Sequence, residues 1–133
     1  MTSTPTVQLR HEMPDGTWHI DWMLDRDGHS RLITFRLPDR PDRLLKGSFM
    51  AAEAIGDHRR DYLDYEGPVS DSRGSVTRLG HGEILEWASD GDEWWITVNW
   101  QDGPRQVLRI IQGTAHSNSS GSCRIYCEES SAD

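Results

Sequence analysis

The chain has 133 residues, enough for one domain with a real core and too few for two independent ones. With 22 acidic against 14 basic residues its formal net charge is −8, a balance that opposes non-specific nucleic-acid binding. No stretch approaches the ~20 apolar residues of a membrane helix, and Met1 to Thr6 carry no basic-then-apolar leader, so a cytoplasmic location away from membranes is expected.

Most segments in chain order read as short strands. Val7 to His11 alternates in polarity. A turn at Pro14-Asp15-Gly16 leads into a strand from Thr17 to Leu24. Asp25-Arg26-Asp27-Gly28 is a hairpin signal, with the return strand at about Arg31 to Leu37. Pro38 to Pro41 reads as loop or edge, because proline cannot donate to a ladder. Leu44 to Ile55 is the only stretch compatible with a helix, with a short strand from Phe49 to Ala54 as the alternative. Gly74 to Trp87 reads as two strands broken at Gly80-His81-Gly82. Glu93 to Trp100 and Arg105 to Gln112 form a hairpin around Asp102-Gly103-Pro104. After Gly113 the composition turns to Ser, Asn and Gly, a linker-like stretch. Ser122 to Glu128 is expected as one last edge strand, with disorder from Ser130. Cys123 and Cys127 read as two ordinary thiols.

The expected fold is therefore all-β: a small single-domain β-barrel over residues 1–113, with short connecting turns and at most one short helix. Residues 114–133 are expected to form a Ser-rich C-terminal segment.

One strand carries unusual chemistry. In Trp18-His19-Ile20-Asp21-Trp22-Met23-Leu24, alternation puts Trp18, Ile20, Trp22 and Leu24 on one face. His19 and Asp21 share the other face with Met23, the first two about 7 Å apart along the strand axis. His11, at the end of the first strand, can join them if the two strands pair antiparallel. Two neutral imidazoles and a carboxylate form a common open site for Mn, Fe or Zn. Simple hydrogen bonding among these side chains is the alternative. A second polar cluster runs from Asp57 to Pro68, where His58 and Tyr62 are donors of the kind that hold a phosphoryl group.

The order His11, His19-Ile20-Asp21, Asp57-His58 with Tyr62, Asp64-Tyr65-Glu66-Gly67 and a turn at Ser72-Arg73-Gly74 resembles the 3′-phosphoesterase domain of bacterial DNA ligase D, and more closely its short stand-alone relatives. The resemblance spans roughly Leu9 to Ile111. It implies a small β-barrel binding manganese, or another divalent ion such as zinc or cobalt, through His11, His19 and Asp21. His58 and Tyr62 would be the catalytic contacts to the scissile phosphate. The implied activity is removal of a 3′-phosphate or 3′-ribonucleotide from DNA ends in repair, with a small phosphate ester as another substrate and a DNA ligase or polymerase as a possible partner. The chain departs from the family pattern at Met23, Leu9 and Asp39, where an arginine, a glutamine and a lysine are usual. Arg36, Arg59, Arg60 or Arg73 are the arginines available to compensate. A metal- or phosphate-binding module without turnover, or a partner-binding domain, is the alternative.

Overall fold

A computed structural model describes residues 3–113 and 121–132. Nine strands form one antiparallel sheet: β1 (Thr4–Glu12), β2 (Trp18–Leu24), β3 (Leu32–Leu37), β4 (Phe49–His58), β5 (Gly67–Pro68), β6 (Ser75–Asp90), β7 (Glu93–Trp100), β8 (Arg105–Gln112) and β9 (Ser122–Ser130). The sheet order is β1-β2-β3-β4-β9-β8-β7-β6-β5, and β1 also pairs with β6. That last pairing closes the sheet into a ring, the small barrel expected, with two-residue β5 attached outside it. Closure leaves the long strands without a free edge. No helix among the described residues is long and apolar enough to cross a membrane.

Alternation explains the interior. Ile20, Trp22 and Leu24 of β2, Phe35 and Leu37 of β3, Ile96 and Val98 of β7, Leu108 and Ile110 of β8, and Ile125 of β9 pack together inside the ring. Each fully buried side chain of this size contributes about 1.5–3 kcal/mol relative to exposure. Cys123 and Cys127 belong to the same core as free thiols.

A second apolar cluster lies on the other face of β1, β2 and β3. Val7, Leu9, Met23, Leu32 and Val76 form its floor, and Tyr62, Leu63 and Val69 pack onto it. The chain from Arg59 to Gly74 is thus held down over the outside of the barrel, and β2 is covered on both faces from Ile20 onward.

Three sequence expectations change. The helix considered over Leu44 to Ile55 does not form; the short-strand alternative does, lengthened into β4, with only a turn of 3-10 helix at Pro41–Arg43. A single helix of that length is marginal in water, whereas β3 and β9 supply ladder partners on both sides. Gly80-His81-Gly82 does not break a strand. β6 runs on through it, bulging at Leu79 as its pairing with β1 shifts register. Gly80 and Gly82 lie where the Gln8 side chain and the Asn99–Trp100 backbone leave no space for a Cβ. Finally, β9 is not an edge strand. It sits between β4 and β8, so the domain extends past Gly113, and Ser130 and Ser131 are ordered, Ser131 bonding to Arg105. Most of the linker-like stretch (114–120, with His116) and Asp133 lie outside the described residues.

Candidate metal centre and cleft

Antiparallel pairing of β1 and β2 sets His11 directly opposite His19 and Leu9 opposite Asp21. Both imidazoles reach the Asp21 carboxylate. His11 Nδ1 lies 3.4 Å from Asp21 Oδ2, and His19 Nε2 lies 3.2 Å from Asp21 Oδ1. The two rings meet edge-on with centroids 4.8 Å apart. One ligand-capable atom from each residue falls within 4.8 Å of the others. The three residues named from the sequence are therefore one cluster.

The hydrogen bonding of this cluster is incomplete in an informative way. His11 Nε2 lies 2.7 Å from the Arg73 carbonyl oxygen, which can only accept. His11 Nε2 therefore donates to that carbonyl, and Nδ1 is the ring atom that faces the Asp21 carboxylate. His19 Nε2 and Asp21 Oδ1 are both buried and neither has a hydrogen-bond partner. Burial pushes the His19 imidazole below its usual range; the Asp21 charge opposes that, while the Arg36 and His11 charges reinforce it. A neutral imidazole is the form that binds a metal. Two imidazoles and a carboxylate turned toward one another, with His19 Nε2 and Asp21 Oδ1 unpartnered, form a donor set that fits a divalent cation, and the Arg73 carbonyl fixes the orientation of the His11 ring.

Local backbone features aim the surrounding groups. In β4 one extra residue intervenes between the Ile55–Thr34 and His58–Leu32 pairs. Strict alternation would turn Asp57 to the face that carries His19 and Asp21 and His58 inward; the bulge places His58 on that face instead. His58 Nδ1 donates to the Gly56 carbonyl at 2.8 Å, which leaves Nε2 available. Tyr62 sits on the short 3-10 helix Arg60–Leu63, its ring edge-on to His58 at 5.6 Å and edge-on to Tyr65 at 5.8 Å. Arg60 fastens this helix by two bonds to Asp25, at 2.8 and 2.6 Å, and a third to the Ser30 carbonyl. Gly74 brings the following turn against β1. Its φ is +90°, and any Cβ there would overlap the Glu12 carbonyl.

These parts surround one cleft of about 550 Å³, lined by His11, Asp21, His58 and Tyr62 among others. Arg36, Arg59 and Arg73, named from the sequence, line it as well; Arg60 does not, being committed to Asp25. Arg31 and Ser70 also line the cleft and were not singled out: the expected return strand put Arg31 in phase with the inward Ile33 and Phe35, whereas β3 begins only at Leu32, and Ser70 lies outside any strand. Met23 and Leu9 are buried floor beneath Tyr62 and Leu63, which is the packing reason they are apolar. The chain matches no protein-family model and no curated protein.

Proposed function

We propose that this protein is a divalent-metal-dependent phosphoesterase resembling the 3′-phosphoesterase of DNA ligase D, acting on a 3′-phosphate or 3′-ribonucleotide. The observation that carries this reading is the His11–His19–Asp21 set, whose two half-buried imidazoles converge on the buried Asp21 carboxylate and in which His19 Nε2 and Asp21 Oδ1 have no hydrogen-bond partner. Manganese, zinc or cobalt held by those three residues would supply Lewis-acid stabilisation of a phosphate oxygen. His58 offers Nε2 to the cleft, where its protonated form donates to a phosphoryl or leaving oxygen. Tyr62, beside it, orients the phosphate by its hydroxyl. Arg60 is a positioning residue that holds the Tyr62 helix to the barrel.

A second reading, a binding module without turnover, is favoured by the apolar floor at Met23 and Leu9. Phosphoryl chemistry leans on cations, and a floor without them depends on arginines at the rim.

The test pairs wild type with His19→Ala. Metal affinity is measured by titration calorimetry with Mn, and activity on a duplex carrying a recessed 3′-phosphate or 3′-ribonucleotide. Micromolar binding and end-group removal by wild type alone support the phosphoesterase. Unchanged affinity in His19→Ala refutes the ligand set, and binding without cleavage moves the conclusion to the binding module.

A further inference from the structure

The cleft concentrates positive charge that the rest of the chain lacks. Arg31, Arg36, Arg59 and Arg73 line it against two aspartates, Asp21 and Asp57. Elsewhere in the chain acidic residues outnumber basic ones two to one. Arg31 and Arg73 are oriented by their neighbours. Arg31 donates to the Asp57 carbonyl at 3.1 Å, and Arg73 to the Ser70 carbonyl and hydroxyl at 2.9 and 3.0 Å. Among the described residues no salt bridge engages Arg36 or Arg59. On β3, Arg36 lies between cross-strand partners Asp21 of β2 and Glu53 of β4, so register places its charge beside the His11–His19–Asp21 set. Arg59 follows His58 directly, is exposed, and also lines the cleft.

Guanidinium groups around an apolar floor, with few carboxylates among them, favour a compact oxyanion that each can meet with two parallel N–H groups. Arg60, on the helix that bears Tyr62, does not add to this charge because its guanidinium is paired with the Asp25 carboxylate. A cleft of about 550 Å³ has room for one ligand of nucleotide size. The acidic exterior repels a phosphate backbone that runs past it.

We propose that this rim is a terminal-phosphate site in which Arg36 and Arg59 clamp a phosphate dianion carried by a single nucleotide-sized group, with recognition ending there. The inference deepens the phosphoesterase reading and rests on it for the role of the metal, but phosphate binding by the arginines does not require turnover. The shared chemistry is a terminal phosphate. It is found on a free nucleoside 3′-monophosphate and on a DNA 3′ end alike.

The experiment measures binding of inorganic phosphate, a nucleoside 3′-monophosphate and a 3′-phosphorylated duplex by calorimetry, with and without Mn. It compares wild type, Arg36→Gln, Arg36→Lys, Arg59→Gln and, as a control outside the cleft, Arg105→Gln. Each glutamine variant in the cleft is expected to weaken phosphate binding about 10- to 100-fold. Arg36→Lys retains part of it, Arg105→Gln is unchanged, and Mn affinity does not fall in any of them. The duplex is expected to bind within about 10-fold of the mononucleotide, with a shallow salt dependence. Phosphate binding unaltered in both glutamine variants overturns the proposal. So does a duplex that binds more than about 10-fold tighter with a steep salt slope. Arginine-dependent phosphate binding in a protein that takes up no Mn leaves the proposal standing and refutes the metal reading alone.

Discussion

Replacing Arg60 by alanine tests how the helix bearing Tyr62 is held. Arg60 makes two bonds to Asp25, whose side chain is only 1% exposed, and one to the Ser30 carbonyl. Removing one partner of a buried ion pair typically costs about 3–5 kcal/mol, most of it the stranded charge. Here the cost is lower, because Arg60 is 33% exposed and the Gly28 N–H still donates to Asp25. The expected loss is about 2–3 kcal/mol at neutral pH, or roughly 10 °C in Tm. The pH dependence has a definite sign. The Arg60 bonds hold the Asp25 carboxyl below its ordinary value of 3.8, with burial opposing them. A carboxylate whose folded pKa is depressed contributes stability that is full above its unfolded pKa and is lost as pH falls through the folded one. The gap between wild type and Arg60→Ala is therefore expected at pH 7 and should narrow toward pH 3. Urea denaturation at both pH values reads it, and Asp25→Asn completes a double-mutant cycle with a coupling of about 1 kcal/mol or more. A gap under about 0.5 kcal/mol at pH 7, or one that does not change with pH, refutes the assignment of this pair as the fastener.

Other outcomes follow from single residues. Gly74→Ala is expected to destabilise by about 3 kcal/mol or more, since the left-handed backbone and the overlap with the Glu12 carbonyl both oppose a side chain; a Tm within 2–3 °C of wild type would contradict this. Gln8 is fully buried with neither amide atom partnered, so Gln8→Met should be neutral or stabilising by up to about 1 kcal/mol in denaturant titrations, and a clear loss would show that the amide is satisfied. Burial pushes the Cys123 thiol up to about 11. Alkylation of the native protein at pH 8 should then leave Cys123 unmodified until denaturant is added, as peptide mass mapping would record.

The alternation of apolar residues determined most of this fold. It fixed β1 to β3, the hairpin of β7 and β8, and the faces of β2 that separate Trp22 from His19 and Asp21, because side-chain direction in a strand is a local property. It also named His11, His19, Asp21, His58 and Tyr62, and the structure brings all five to one face. Non-local pairing decided the rest. Whether Met50 to Ile55 is helix or strand depended on β3 and β9 arriving on either side, and β9 became interior only because the ring closes through it. The β4 bulge that turns His58 to the face of His19 and Asp21 exists only in register with β3. Arg36 and Arg60 are both arginines near acidic residues in the sequence. Only the tertiary structure commits one to Asp25 and leaves the other at the rim of the cleft, because charge pairing is set by distances across strands and not along the chain.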